Sequence, residues 1–442
     1  MNPGHDDLLA PWQHSGDDPF DLVKAGHLLR RAGFGASLRE RRRAVEVGVS
    51  ATVDALCAQS EADPYTDLLE DVISLGEIER VRAWRFLQML QSPDRLRARM
   101  GLFWHQHFAT SNQKVASPAL MARQQATFDR LGLGVFDDLL LAASQEPAML
   151  KWLDAESSKK GKPNENFARE LMELFTLGRG NYGERDVQEA ARAFTGWQVK
   201  DGRFRVLPAW HDGGEKTVLG ESGAFTGEEV VRLVARQPSS ARFLARKLLL
   251  FFVHPEPSDA EVAALAVVYT REGRHVGRTL SALLRSKLFF SARAHRSKIL
   301  SPIELVVLLV RSLGAKAAPA ALARAAAALG QTLLEPPSVE GWAQERAWVT
   351  SATWLLRQNF VAELLQNRRG FHLEPLPEPL FARATTPQAR ADLALLLALD
   401  GDVDPRTREE IEKLASSPAC LGPGGVVTLL HAVWSLPRAQ TG

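Results

Sequence analysis

Repeated helix punctuation is the feature that most narrows what this chain can fold into. Ser92-Pro93 and Ser117-Pro118 each set a capping hydroxyl before a proline at the first helical position, where a missing N–H costs nothing. Ser258-Asp259-Ala260-Glu261 and Ser301-Pro302-Ile303-Glu304 add the reciprocal Ser-x-x-Glu box. The first box opens a helix expected to end at Gly273, and the second one expected to end at Gly314. The pattern predicts a mainly α protein, a large multi-helix domain over 20–372. Leu373-Glu374-Pro375-Leu376-Pro377-Glu378-Pro379 cannot continue a helix and is read as an extended linker to a C-terminal helical extension over 379–442.

The helical period lapses between Trp197 and Gly220. Gln198 to Val206 alternates around Asp201-Gly202, which predicts a small β-hairpin insertion near 198–207. The polar stretch Trp210-His211-Asp212-Gly213-Gly214-Glu215-Lys216 follows as a loop, and loops on rigid scaffolds often carry function. Gly33-Phe34-Gly35 and Gly132-Leu133-Gly134 follow helical patterns and are read as helix C-terminal turns.

Pro163 to Gly178 reads as one helix with two adjoining stripes. Phe167, Leu171, Leu174 and Phe175 form the apolar one; Asn166, Arg169, Glu170 and Glu173 form the polar one. Packing the first against a core brings the second to its rim, where partly desolvated carboxylates change pKa or bind metal. Across the Gly178–Gly183 turn, Glu184, Asp186 and Glu189 complete a carboxylate-rich hairpin, counterbalanced by Arg169 and Arg192. These charges form either an internal ion-pair network or part of a site.

His105 and His107 are two apart, so on a helix they diverge by about 200°. They can share a metal only if the helix ends near Trp104. A divalent metal site would need His105 or His107 to converge with Glu170, Glu173 and Asp186. His211-Asp212 in the glycine loop is the better acid–base candidate, with Lys216 as a nearby cation. Trp104, Trp197, Trp210 and Trp342 are read either as core or, with Lys216, as the lining of a ligand groove.

Reading these segments together, the chain resembles the bacterial family known as domain of unknown function 1800. The matching segments are His27-Leu28-Leu29-Arg30-Arg31-Ala32-Gly33-Phe34-Gly35, Arg99 to Phe108, Asn164 to Gly178, Asn181 to Val187, Ala190 to Trp197, His211-Asp212 with Lys216, and Pro336-Pro337-Ser338-Val339 with Gly341-Trp342. The resemblance implies a bacterial origin and a companion protein resembling the alkaline-phosphatase superfamily. It implies export for many relatives, whereas Met1 to Phe20, with Asp6, Asp7, Asp17 and Asp18, has no apolar run suited to a signal peptide. The chain as given is therefore expected in the cytoplasm.

Composition narrows the function classes. A net charge of +2 over 442 residues does not suit a nucleic-acid binder, and the run Arg39-Glu40-Arg41-Arg42-Arg43 is read as a solvated helix face. No window approaches the length of a membrane span. Cys57 and Cys420 offer no disulfide framework. Phosphate-loop, serine-elbow and dinucleotide motifs are absent. The leading expectation is an enzyme of hydrolytic type. Glu170 or Glu173 would act as base or metal ligand, His211 as acid–base with Asp212, and Arg169 or Lys216 as anion stabiliser. The rival is a non-enzymatic helical scaffold that docks the phosphatase-like companion.

Overall fold

The computed structural model describes residues 8–58, 65–343 and 345–442, so the expectation for Asp6 and Asp7 lies outside the described residues. It is mainly helical, with two small two-stranded antiparallel sheets. Helix α1 (Leu22–Gly33) starts at Asp21, whose carboxylate accepts the Lys24 N–H, and stops where Phe34 turns left-handed. Helix α2 (Leu38–Cys57) opens on a Ser37–Glu40 capping box. Then come α3 (Arg95–His107), α4 (Glu165–Glu170), α5 (Glu184–Ala193) and α6 (Pro238–Phe252). Helices α7 (Asp259–Arg271) and α8 (Pro302–Ser312) carry the two expected capping boxes, with Gly273 and Gly314 at positive φ just beyond their ends. Helices α9 (Pro387–Leu399) and α10 (Gly425–Trp434) follow near the end. Among the described residues no helix is long and apolar enough to cross a membrane.

The expected hairpin is β1 (Trp197–Lys200) against β2 (Arg203–Val206), with Lys200 opposite Arg203. Asp201 and Gly202 both hold positive φ, the geometry of a two-residue hairpin turn. A second hairpin, β3 (Lys216–Val218) against β4 (Glu221–Gly223), turns at Leu219-Gly220 and was not anticipated. Its strands are too short to show an alternating pattern.

Apolar side chains gather in two clusters. One joins Leu28, Trp104, Phe136, Leu171, Phe252 and Tyr269; the other joins Phe86, Val306, Leu309, Val361, Leu395 and Trp434. Helix α3 serves both, giving Met100 and Phe103 to the first and Ala98 and Leu102 to the second. Helices α9 and α10 share the second cluster with α8, so residues after 379 complete a core rather than standing off as an appendage. The linker is itself tied down, with Lys316 and Glu374 exchanging backbone hydrogen bonds.

A charged knot sits within this packing. Asp400, at the left-handed C-cap of α9, accepts from Arg30, Arg41 and Arg296, and all four side chains are buried. Arg41 is therefore not part of a solvated face, unlike its exposed neighbours Arg42 and Arg43. The i, i+3 spacing from Leu38 to Arg41 and Ala44 turns it inward on α2.

Candidate functional site

Helix α4 begins where Asn164 caps it, the side-chain oxygen accepting the Asn166 N–H at 3.0 Å. The Asn166 amide in turn donates to the Leu153 carbonyl at 3.1 Å, fixing the helix to the preceding segment. After Glu170 the helix widens into a π-helix over Leu171–Thr176, with the Leu177 N–H reaching Met172 O at 2.7 Å. The sequence reading took Pro163–Gly178 as one regular α-helix. Glu173 lies within that wider turn. Gly178 closes the segment at positive φ, where a Cβ would press on the Phe243 ring at 3.0 Å. Such π segments are rare and recur at functional sites.

Most charges of the hairpin are matched. Arg169 meets both Glu184 oxygens at 2.9 and 2.7 Å and Glu165 at 3.3 Å. Glu173 accepts from Arg179 at 2.5 Å and from the Tyr182 hydroxyl at 2.9 Å, which holds its carboxyl below the usual range. Glu189 accepts from Arg192, and Asp186 accepts the Gly183 and Leu219 N–H groups. Glu170 alone among the hairpin carboxylates has no hydrogen bond or ion pair with a described residue. Half-burial pushes its pKa up, the Glu173 and Glu340 carboxylates add to that, and Arg169 and Arg179 only partly offset it.

Glu340 comes from the Pro336–Trp342 segment. Gln106 on α3 holds that segment by donating to Glu340 O at 3.3 Å and Trp342 O at 3.0 Å, and by accepting the Trp342 N–H at 3.0 Å. Gly341, at positive φ, lets the backbone pass, since a Cβ there would collide with the Gln106 amide. Glu340 lies 3.6 Å from Arg179, and its charge also reaches Lys247 on α6. Burial pushes the Lys247 amine down, and the amine rests 5.3 Å from the Phe243 ring centroid. A carboxyl raised by burial and an amine lowered by burial thus flank one carboxylate. That combination brings an acid and a base toward neutral pH.

The other expected site residues are placed elsewhere. Helix α3 runs through both His105 and His107, so their rings diverge. His105 Nε2 accepts the Leu334 N–H at 3.1 Å, and His107 Nε2 donates to Phe175 O at 3.0 Å. Both are enclosed, and burial pushes the His105 pKa down to about 3 and holds His107 well below its ordinary value. The set His105, His107, Glu170, Glu173 and Asp186 does not converge. Among the described residues no group of three or more His, Cys, Asp or Glu side chains is arranged to hold a metal ion.

His211 donates from Nδ1 to Thr195 O at 3.0 Å, and Asp212 accepts from Arg192 at 2.8 Å, which holds its carboxyl at about 2. The Lys216 amine is buried and capped by the Asp212 and Gly214 carbonyls. This knot stands by Thr195, while Arg169 meets Glu184 at the other end of the 10-residue α5, a separation of about 15 Å. The contacts of His211 and of Arg169 thus fall at opposite ends of α5. Trp104 is enclosed, donating to Gly132 O, and Trp197 packs between Phe194 and Phe204. Trp342 lies against His105, while Trp210 is at the surface near Lys159, so the tryptophans form no common groove.

The model of the family of proteins of unknown function DUF1800 matches residues 27–437. The chain belongs to that family. No curated protein and no solved structure matches it. Three of the segments that carried the resemblance come together around Glu340: Gln106 of the α3 segment holds its backbone, Arg179 of the hairpin lies 3.6 Å from its carboxylate, and its charge acts on Glu170.

Lys247, Arg179, Tyr182 and Glu340 escaped the sequence reading. Lys247 follows Leu244 and Ala245 and precedes Leu248 on an apolar helix, and a lysine at such a position was the available signal.

Proposed function

We propose that this DUF1800 protein is an enzyme of hydrolytic type in which Glu170 transfers the proton and Lys247, whose charge acts on the same Glu340, supplies a positive charge. The observation carrying this reading is Glu170 itself, a half-buried carboxylate left unpaired where every other carboxylate of the hairpin is matched. Leaving a carboxylate partly desolvated and unmatched costs stability, and such sites cluster where a group must gain and lose a proton. Burial, with the charges of Glu173, Arg169, Glu340 and Arg179, sets the Glu170 pKa, and Tyr182 holds Glu173. The His211-Asp212-Lys216 knot keeps the loop in place and takes no part in proton transfer.

The test is a panel of chromogenic esters, phosphate esters, glycosides and peptides, run with wild type, Glu170→Gln, Lys247→Met and His211→Ala, each checked by circular dichroism. Hydrolysis should fall about 100-fold or more in Glu170→Gln and persist in His211→Ala. Equal rates in wild type and Glu170→Gln would overturn the assignment.

The scaffold reading draws on a separate observation, that Arg169, Glu173, Arg192, Asp212 and Lys216 are all consumed by one another or by the backbone. Co-purification with a phosphatase-like companion, together with an inactive panel, would favour it.

A further inference from the structure

A basic surface lies where the β1–β2 hairpin meets the loop that leads into α4. Trp197 packs against Phe204 with ring centroids 5.0 Å apart, and Trp197 is buried, so the hairpin face that carries this pair is turned to the core. Side chains alternate along a strand, and the register sets Lys200 opposite Arg203 and Gln198 opposite Arg205 on the other face. The Gln198 amide donates to Glu156 O, which brings that face beside the Glu156–Lys162 stretch. Two backbone bonds fix the junction, from the Gly196 N–H to Ser158 O at 3.1 Å and from the Lys160 N–H to Trp210 O at 2.7 Å. Lys159 Nζ lies 5.7 Å from the Trp210 ring centroid. Lys159, Lys160, Lys162, Lys200, Arg203 and Arg205 thus border one surface, and all six are exposed.

None of the six makes an ion pair with a described residue. Glu156 and Asp201 are the acids of the stretches 156–162 and 197–210, so six cations less two acids leave +4 here, in a chain whose total is +2. Like charges directly opposite each other on paired strands are destabilising, and Lys200 with Arg203 is such a pair. Arg205 extends the row on the same face. The row costs stability within the chain, and an anionic partner offsets that cost.

The residue types indicate which anion. Four of the six are lysines, compact hydrated charges that suit a diffuse negative surface rather than a forked grip on one group. Trp210 stands beside them, 38% exposed. A tryptophan next to lysines is the pairing that settles at the headgroup level of a bilayer, where the ring is half apolar and half wet. A chain of net charge +2 lacks the overall basic field that draws a nucleic acid.

We propose that this surface docks the protein onto a bilayer of anionic phospholipid, with the six cations against the headgroups and Trp210 entering between them. Neither the family assignment nor the Glu170 reading requires this surface, and it stands or falls separately from them.

The experiment is flotation of the full chain with vesicles of phosphatidylcholine alone and of phosphatidylcholine mixed with phosphatidylglycerol, with a single-stranded oligonucleotide as competitor. Two variants disturb the surface without touching a buried group: the triple change Lys160→Glu, Arg203→Glu, Arg205→Glu, and the single change Trp210→Ala. The triple change Arg39→Glu, Arg42→Glu, Arg43→Glu alters the charge equally on the exposed face of α2 and is the control. The expected result is binding to the mixed vesicles and not to phosphatidylcholine, lost at about 0.5 M salt. Both surface variants should weaken it, the triple change by about 10-fold or more, while the control keeps it. Circular dichroism checks each variant, and should the triple change fail to fold, Trp210→Ala and the salt series decide. Four results would overturn the proposal: no binding to the mixed vesicles, equal binding to both kinds, an equal loss in the control, or displacement of the vesicles by the oligonucleotide at equal phosphate concentration.

Discussion

Arg41 and Asp400, 359 residues apart in the chain, pair at 2.5 Å in the interior. Arg30 and Arg296 share the same carboxylate, so one anion stands against three buried guanidinium groups. Removing it leaves uncompensated buried charge. Asp400→Asn is expected to cost about 3–5 kcal/mol in guanidinium denaturation, the range for breaking a buried pair. A loss under about 1 kcal/mol would mean that water reaches the knot.

Acid sensitivity should trace in part to Glu304. Burial alone would raise its pKa, but Arg99 and Lys298 with the Ser301 N–H outweigh that and hold it at about 2, against an ordinary value of 4.5. A depressed carboxylate pKa adds stability that is complete above the unfolded-state value and disappears as pH falls through the folded one. Urea unfolding of wild type between pH 4.5 and about 2 should therefore show a steeper loss than Glu304→Gln, which starts lower at neutral pH. Parallel pH slopes would contradict the charge assignment.

Arg169 should matter little to stability. Its pairs with Glu165 and Glu184 are largely open to solvent, where screening and side-chain entropy cancel most of the attraction. Arg169→Ala is expected to shift the melting temperature by under about 2 °C. A large drop would show that the hairpin depends on this pair, as the scaffold reading requires.

Helix positions were legible because caps act locally. The Ser258 and Ser301 boxes, the glycines past α7 and α8, and the Asp201-Gly202 turn are all decided by neighbouring residues. The π-helix after Glu170 was not legible, because its sequence fits a regular α-helix equally well and tertiary packing chooses the wider turn. The site was half legible. Glu170 and Glu173 were both drawn from the polar stripe of that helix, but which of them would pair was set by Tyr182, Arg179 and the distant Glu340. His211 read as a partner because sequence does not record that its ring is taken up by the Thr195 carbonyl, just past the end of α5.

His107 is expected to behave as a structural residue. Its ring is enclosed by Phe103, Trp104 and Phe108 and donates to Phe175 O, and burial keeps it neutral. His107→Ala should destabilise by about 2–4 kcal/mol through the cavity and the orphaned carbonyl. Zinc titration monitored by thermal melting should give the same response in this variant and in wild type; a response confined to wild type would restore His107 as a ligand.

The most direct test of the Glu170 assignment is a carboxyl carbon NMR titration of the whole protein, with the Glu170 signal assigned from its loss in Glu170→Gln. Glu170 is expected to titrate above 4.5 and above Glu173, because half-burial and the neighbouring carboxylates oppose its ionisation while Arg179 and Tyr182 favour that of Glu173. Its midpoint should fall in Glu173→Gln, which removes one opposing charge. A Glu170 midpoint at or below that of Glu173 would contradict the proposed role.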